Sequence, residues 1–365
     1  MLEYEIINVC KMSNCCNDAI MLLPEWIPSE SILMALPNKN TDWNYILDEA
    51  RGQYRRIIKS LTDENVTVVL LCDDAEDAAN LLDNCNQDKI RYVEIDYNDT
   101  WVRDYGPITV IKNNVLTALD FGFNGWGLKF ASDKDNLVNL QMMRRGIIPS
   151  GAYENAREFV LEGGSIETDG NGTLLTTSRC LCSENRNGGL SKENAEDRLR
   201  HYLGVSNVLF LDHGALDGDD TDSHIDTLAR MAPGNTIIMT VCDDRDDLHH
   251  IELEKMRTQI ETFRNTEGEP FNLVEVPLPD AIFDEEGNRL PATYANYLVT
   301  EKAVFVPTYG QEEKDNRAID AVKKVFPSHK VVGIDCNTLI KQHGSLHCAT
   351  MQIPAKLLNK NLYDK

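Results

Sequence analysis

Residues 312–336, EEKDNRAIDAVKKVFPSHKVVGIDC, show the unit from which this chain is built. The first half predicts an amphipathic helix from Glu312 to Phe326, and the apolar run KVVGIDC predicts a strand directly after it. The same order recurs five times, with helices at 42–61, 75–85, 133–145, 192–203 and 248–263 and strands at 65–72, 89–96, 157–164, 206–212 and 271–279. These strands are continuous runs rich in Val, Ile and Leu, which is typical of strands covered on both faces.

Two segments between these units have the pattern of β-hairpins. Residues 110–121, VIKNNVLTALDF, place Asn113–Asn114 at a turn, and residues 165–177, SIETDGNGTLLTT, place Gly–Asn–Gly at another. Each unit therefore combines a helix with crossover and hairpin strands, and the fold class is α/β.

Composition indicates one globular chain. The 365 residues are 42% apolar, and we find no linker, low-complexity tract or charge block that would mark a boundary, so we expect a single domain over 1–365. The N-terminal MLEYEIINVC has no basic region typical of a secretory signal, and no apolar run reaches 18 residues. These features predict a cytoplasmic protein with no membrane span and with reduced thiols.

The net charge limits the classes of molecule that the chain is expected to bind. Against 36 basic residues stand 59 acidic ones, a net charge of −23, which repels nucleic acid and anionic lipid and favours approach of a cationic small molecule. The ten cysteines contain no matched C-x-x-C pairs, so we expect no zinc site. The adjacent pair Cys15–Cys16 lies in residues 1–17, to which we assign no role.

Reactive side chains follow the strands at regular intervals. Asp104, Glu162, His224 and Cys348 are separated by 58, 62 and 124 residues, and 124 is twice 62. The remaining slot, near residue 286, holds FDEEGN and lacks a catalytic group. Five units of about 60 residues account for nearly the whole chain, and closing them into a ring brings corresponding loops to one central point.

Each motif has a structural alternative when taken alone. In NDTWVRDYGPI, residues 98–108, Arg103 and Asp104 could pair to close a loop around a core Trp101, or Asp104 and Trp101 could form a rigid pocket. In EGGSIETDG the strand could end in a bulge, or Glu162 could meet a cation or donor. Its two glycines permit positive backbone angles and close approach of another group.

The segment GDDTDSHIDTLARM contains His224 and Asp226, which would face the same side of an extended strand. With the acids upstream, Asp219, Asp220 and Asp222, they could hold a divalent metal. His224 could instead be an acid/base catalyst, because acidic surroundings raise a histidine pKa.

The segment KQHGSLHCATMQIP raises a similar choice for Cys348. Most free cysteines are buried and inert, whereas a nucleophile needs access and a cationic environment. Among Asp104, Glu162 and Asp226 the thiolate is disfavoured, and a cationic substrate would restore it. The site thus reaches charge balance when a guanidinium enters.

Taken together, DTWVRDYGPI, EGGSIETDGNGTLLTT, RNGGLSK, GDDTDSHIDTLAR and GSLHCATMQIP resemble the agmatine deiminases, a branch that includes the Porphyromonas-type peptidyl-arginine deiminases. TDW at 41–43 and DFGFNGWGLKF at 120–130 also match, and the resemblance covers about residues 20–355. It implies the pentein fold, a five-bladed α/β propeller with pseudo-five-fold symmetry, and hydrolysis of a guanidinium to a urea without a metal or cofactor.

The resemblance also implies roles for individual residues. Cys348 would be the nucleophile that forms a thiouronium intermediate, and His224 the general acid and base, oriented by Glu162. Asp104 and Asp226 would bind the guanidinium, Trp101 would line the channel, and Asp220 would meet the distal amine. The family usually has a glycine-rich run before the nucleophile, and Gln342–His343 before Gly344 departs from it, which bears on tail specificity.

The leading expectation is hydrolysis of agmatine to N-carbamoylputrescine and ammonia, a step toward putrescine in polyamine biosynthesis, by a homo-oligomer. The alternatives are a peptidyl-arginine or other arginine-derivative deiminase, a non-catalytic guanidine- or polyamine-binding protein, and a metal hydrolase built on His224 and Asp226.

Overall fold

The computed structural model describes residues 20–354 and 356–359, so residues 1–17 with Cys15–Cys16 lie outside the described part. Its strands form five separate sheets, in agreement with the five predicted units. One four-stranded sheet has, in spatial order, the strands β17 (Met351–Pro354), β2 (Ser29–Ala35), β3 (Thr67–Cys72) and β4 (Ile90–Glu94), and the other has β1 (Ile20–Leu22), β5 (Ile108–Lys112), β6 (Val115–Gly122) and β7 (Tyr153–Val160). Two of the three-stranded sheets have the orders β10 (Asn207–Leu211), β9 (Thr173–Thr177), β8 (Ile166–Thr168) and β11 (Ala229–Ala232), β12 (Thr236–Val241), β13 (Asn272–Pro277). The last three-stranded sheet has the order β14 (Leu298–Val299), β15 (Ala303–Thr308), β16 (Lys330–Asp335).

Every sheet contains both parallel and antiparallel pairs. The crossover pairs, such as β2–β3, β12–β13 and β15–β16, are parallel, and the predicted hairpins β5–β6 and β8–β9 are antiparallel. Asn113 and Asn114 both have positive φ angles, 51° and 64°, which suit the twist of a two-residue hairpin turn. The α/β class and both hairpin predictions are confirmed.

The six predicted helices are present, with shifted boundaries. They span Leu47–Asp63, Ala75–Leu81, Val138–Arg144, Lys192–Leu203, His250–Thr262 and Glu312–Val325. The first and third begin with 3-10 turns, Asp42–Ile46 and Asp135–Leu137, instead of regular helix. The helix at Ala75 begins where Asp74 accepts hydrogen bonds from the backbone N–H groups of Glu76 and Asp77.

Shorter helical segments occupy the loops that carry the reactive residues. Four are single α-turns, and the others are 3-10 turns; they span Val102–Tyr105, Gly125–Leu128, Ser178–Leu181, Glu184–Asn187, Gln87–Lys89, Ser150–Ala152, Gly163–Ser165, Ile225–Thr227 and Leu339–Gln342. None of the helices in the described ranges is long and apolar enough to cross a membrane.

The sheet that contains β2 joins the two ends of the described chain. β17 pairs antiparallel with β2, so that Met351 lies opposite Leu33. β2 is also parallel to β3, and its apolar residues Ile32, Leu33 and Met34 are fully buried. The segment that carries Cys348 is thereby fixed against a central strand.

Candidate active site

The predicted acids and His224 converge beside Gly164. A Cβ atom placed on this glycine would lie 2.7 Å from His224 Nδ1, 2.8 Å from Asp104 Oδ1 and 3.1 Å from Asp226 Oδ2. Gly164 does not have a positive φ, so of the two properties that glycine permits it is the close approach of other groups that is used here. Glycine is required because three charged side chains meet where its side chain would be.

Asp104 lies in the short helix Val102–Tyr105 and is buried. Its Oδ2 accepts a hydrogen bond from the indole Nε1 of Trp126 at 2.9 Å, and its Oδ1 accepts one from the backbone N–H of Gly164 at 3.0 Å. Burial raises the pKa of Asp104 to about 6, although the nearby His224 acts in the opposite direction. Of the two alternatives for this motif, the Arg103–Asp104 pair is not formed among the described residues, and Arg103 binds Glu25 at 2.9 Å.

His224 is fully buried between two carboxylates. Its Nε2 lies 2.7 Å from Glu162 Oε2, and its Nδ1 lies 3.6 Å from Asp104 Oδ1. Nδ1 has no hydrogen-bond partner among the described residues. Burial disfavours the protonated ring, but the Asp104 charge and the Glu162 hydrogen bond outweigh it and raise the pKa of His224 well above its ordinary value.

Glu162 is held from behind by Arg186. The Arg186 Nε atom donates to both Glu162 oxygens at 3.1 and 3.0 Å, and its Nη1 donates to Asp222 at 2.6 Å. Burial opposes ionisation, yet the His224 hydrogen bond and the Arg186 charge lower the pKa of Glu162. Glu162 therefore stays anionic and fixes the orientation of the His224 ring.

The sequence suggested that His224 and Asp226 lie on an extended strand, but they do not. Asp226 belongs to the 3-10 turn Ile225–Thr227, which His224 precedes with φ −54° and ψ 139°. Both side chains nevertheless reach Gly164. Asp226 Oδ2 binds Nδ1 of His347 at 2.7 Å, while Oδ1 has no hydrogen-bond partner among the described residues.

Cys348 is buried beside Asp226 and Asn296. Its Sγ lies 3.7 Å from Asp226 Oδ2 and 3.3 Å from Nδ2 of Asn296. Burial, together with the charges of Asp226 and Asp104, raises the pKa of the Cys348 thiol well above its ordinary value. The Asn296 amide is oriented by the backbone N–H of His347, which donates to its Oδ1 at 2.9 Å, so its Nδ2 can donate to a thiolate.

Trp101 packs against the loop that carries Cys348. It is buried, its ring centroid lies 5.8 Å from that of Trp43, and a Cβ on Gly344 would lie 2.3 Å from its ring. The two residues that depart from a glycine-rich run fasten the same loop. His343 Nδ1 lies 2.8 Å from the Gly218 carbonyl, and Gln342 donates to the Asp42 carbonyl at 3.1 Å.

The three acids upstream of His224 have different environments. Asp219 accepts hydrogen bonds within its own loop from Thr221 and Ser223, and Asp222 is paired with Arg186 and with Lys129. The Asp220 carboxylate has no hydrogen bond from any residue that the structure describes, and burial raises its pKa. Asp220 is therefore the acid of this loop that is free to bind a cation.

Two groups in the described ranges have the composition of a metal site. Glu162, Cys180 and His224 offer ligand atoms within 4.8 Å of one another, as do Glu25, Glu167 and His347. In the first group the Glu162 oxygens already accept from Arg186, and in the second the two glutamates bind Arg230. Each cluster is thus neutralised by a guanidinium. The metal-ligand set considered from sequence was His224 and Asp226 with the upstream acids. One of these acids, Asp222, is already engaged in ion pairs with Arg186 and Lys129.

Several residues of this cluster had no predicted role: Glu25, Trp126, Cys180, Arg186, Asn296 and His347. Arg186 and Trp126 lay within recognised motifs, and a buried arginine near a buried acid is a signal that could have been used. The slot near residue 286 is an exposed turn, and its unit contributes Asn296 from ten residues further along. An isolated asparagine gives no comparable signal.

The arrangement suits attack on a planar cation. Two carboxylates can bind its nitrogens, a protonated imidazole lies beside them, and a thiol lies next to one carboxylate. A bound cation would offset the acidic surroundings that disfavour the thiolate.

Known proteins resemble this chain over most of its length. A candidate arginine deiminase from Porphyromonas gingivalis is 42% identical, with a TM-score of 0.87 over 93% of this chain and 100% of that one. A Cys-to-Ser variant of the C. jejuni agmatine deiminase with substrate bound is 36% identical, with a TM-score of 0.84 over 92% and 96%. The Pseudomonas aeruginosa agmatine deiminase is 32% identical over 93% and 96%. The profile of the Porphyromonas-type peptidyl-arginine deiminases matches residues 21–354, and the chain belongs to that family.

Proposed function

We propose that this protein is an agmatine deiminase, which hydrolyses agmatine to N-carbamoylputrescine and ammonia. The observation that carries the proposal is the convergence of Asp104, Asp226 and His224 at Gly164, with the Cys348 sulfur 3.7 Å from Asp226. The agmatine deiminases among its relatives support the choice of substrate.

In the proposed reaction Asp104 and Asp226 bind the guanidinium nitrogens and fix the plane of the cation. The Cys348 thiolate attacks the central carbon, His224 donates a proton to the departing nitrogen, and ammonia leaves. His224 then takes a proton from a water that attacks the same carbon, the C–S bond breaks, and the urea product leaves. General acid–base catalysis contributes roughly a hundred- to ten-thousand-fold, so orientation and the covalent step supply the rest.

Asp220 supports agmatine over free arginine. Its carboxylate, which accepts no hydrogen bond from a described residue, would attract the distal amine of agmatine, whereas the carboxylate of arginine would be repelled. The proposal extends to a step in polyamine biosynthesis toward putrescine, to a cytoplasmic location, to a homo-oligomer and to one catalytic domain over the whole chain.

A second candidate is deimination of arginine or of arginyl peptides, which the 42% identical relative favours. We would measure ureido product from agmatine, arginine and an arginyl peptide under the same conditions. We expect agmatine to have the highest kcat/KM, and faster turnover of the peptide would reverse the ranking.

The covalent step has its own test. Acid quenching during turnover of agmatine, followed by peptide mass spectrometry, should show an amidino adduct on Cys348. Cys348→Ala should bind agmatine without turnover, which distinguishes the enzyme from a binding protein. Turnover by that variant would contradict the proposal, and loss of activity with chelators would favour a metal hydrolase.

A further inference from the structure

His347 connects the proposed active site to a buried ionic network behind it. Its ring is fully buried, with Nδ1 2.7 Å from Asp226 Oδ2 and Nε2 2.8 and 3.0 Å from the two oxygens of Glu25. The ring therefore has a carboxylate at each end. A side chain held at both nitrogens has little freedom to rotate.

Glu25 is itself fixed by several donors. Arg103 donates to its Oε1 at 2.9 Å, Gln352 donates to its Oε2 at 3.0 Å, and Arg230 forms an ion pair with it. Burial disfavours its ionisation, but the charges of Arg103, His347 and Arg230 outweigh burial and hold the pKa of Glu25 well below its usual range. Glu25 is thus a stable anionic anchor.

Arg230 ties this anchor to the protein core. Its guanidinium is buried, pairs with Glu167, donates to the carbonyls of Ala295 and Tyr297 at 3.1 and 2.7 Å, and lies 4.5 Å above the ring of Tyr297. Since Arg230 lies in β11 and is held by Glu167 of β8 and by the segment 295–297, it anchors Glu25 to the sheets of the core.

This network fixes the side chain of Asp226. Because His347 binds Oδ2, the rotamer of the Asp226 carboxylate is fixed, and Oδ1 is left without a hydrogen-bond partner among the described residues. We propose that His347 and Glu25 are positioning residues that hold the Asp226 carboxylate in one orientation, with Oδ2 beside both the Cys348 sulfur and the Gly164 position and with Oδ1 left to accept from the guanidinium. This proposal rests on the proposed function, because it assigns Asp226 to a guanidinium.

Two substitutions of His347 separate positioning from simple filling of space. The amide of asparagine is bonded to Cγ, as Nδ1 is in histidine, so His347→Asn keeps a donor for Asp226. The amide of glutamine is one atom further out, like Nε2, so His347→Gln keeps a partner for Glu25 and loses Asp226. We expect H347N to stay within about tenfold of the wild-type kcat and H347Q to lose about a hundredfold, the effect of misplacing a binding group by about 1 Å.

A second pair of substitutions tests whether Glu25 anchors His347. Glu25→Gln keeps the shape of the side chain and one acceptor oxygen, and Glu25→Leu keeps only its approximate size. We expect E25Q to stay within about tenfold of wild type and E25L to lose about a hundredfold in kcat. The exposed His201, replaced by Asn and by Gln as His347 is, serves as the control for the His347 pair. Thermal unfolding of each variant checks that the fold is retained, and if H347Q does not fold, the Glu25 pair decides.

One readout does not need agmatine. The rate at which iodoacetamide alkylates Cys348, followed by peptide mass spectrometry, should match wild type in H347N and rise severalfold in H347Q, because Asp226 no longer holds its charge beside the sulfur. A wild-type protein that fails to turn over agmatine but shows this difference would refute the proposed function and support the positioning. Equal kcat and equal alkylation rates in H347N and H347Q, or a wild-type kcat in E25L, would refute the positioning.

Discussion

The sulfur of Cys348 lies 3.7 Å from Oδ2 of Asp226, so the proposed nucleophile rests beside an anion. Burial and the charges of Asp226 and Asp104 raise the pKa of its thiol. Without a bound cation the protonated, less reactive thiol is favoured, and a bound cation would reverse this balance. We therefore expect Cys348 to react slowly with oxidants and other electrophiles until a cation binds.

We predict that Asp226→Asn makes Cys348 more reactive while it reduces turnover. Removing the neighbouring charge lowers the thiol pKa and raises the fraction of thiolate, so alkylation by iodoacetamide at pH 8 should accelerate about tenfold. Peptide mass spectrometry would follow the rate, with the exposed Asp246→Asn as the control. An unchanged rate in D226N would show that the carboxylate does not suppress the thiolate.

The pH dependence should report Asp104. Its pKa of about 6 means that it is increasingly protonated below that pH, and a protonated Asp104 cannot pair with a guanidinium. We expect kcat/KM for agmatine, which reflects the free enzyme, to fall on the acid side with a midpoint near 6.

Trp126→Phe is the matched test of that assignment. The indole N–H stabilises the ionised form of Asp104 at 2.9 Å, so its removal should move the acid midpoint of kcat/KM to higher pH by about 0.5 to 1 unit. Trp26→Phe, which leaves Asp104 untouched, should leave the midpoint in place. A midpoint that stays the same in W126F would assign the acid limb to another group.

The raised pKa of Asp104 also makes the stability of the folded protein depend on pH. Because the folded state raises the pKa of Asp104 from 3.8 to about 6, the folded protein binds a proton that the unfolded chain does not bind between these values. This group therefore contributes stability below pH 3.8 that is lost as the pH rises through 6.

Gly164→Ala should damage the site more than the fold. The added methyl group would lie 2.7 Å from His224 Nδ1 and 2.8 Å from Asp104 Oδ1, so the two side chains must move apart. We expect kcat/KM for agmatine to fall about a hundredfold or more. Gly151→Ala is the control, since nothing lies within 4 Å of a Cβ there. Near-normal activity in G164A would mean that the reacting groups do not meet at this point.

Asp220→Asn should weaken binding of the substrate tail. If Asp220 pairs with the distal amine, D220N raises KM for agmatine about tenfold, which corresponds to about 1.4 kcal/mol for one partly buried charge-assisted contact. The KM for n-butylguanidine, which has no amine, should not change. Asp217→Asn, in the same loop and exposed, is the control. Equal effects on both substrates would place the amine elsewhere.

The repeated pattern of helix and apolar strand predicted the α/β class and the number of units, because it depends on local periodicity. The sites at Asp104, Glu162 and Cys348 followed from polar residues at strand ends. Their spacing does not specify a backbone turn, and so the sequence argument wrongly placed His224 and Asp226 on a strand. The resemblance to a family, and not periodicity, is what identified guanidinium chemistry.

The contacts that orient the site were beyond the reach of such reasoning. Asn296 donates toward Cys348 across 52 residues of sequence, and Glu25 reaches His347 across 322. Such pairings depend on how the five sheets are placed around one another, which local pattern does not encode. Arg103 illustrates this, since its neighbour in sequence, Asp104, is not its ionic partner.

The pairing of β17 with β2 has a consequence for folding. Cys348 lies three residues before β17, and Met351 of that strand pairs with Leu33, which is 318 residues earlier in the sequence (351 − 33). Closing so long a loop is entropically costly, and a polypeptide in which these two strands are not paired has no fixed position for the sulfur. Covalent chemistry at Cys348 therefore requires a contact between two distant parts of the sequence.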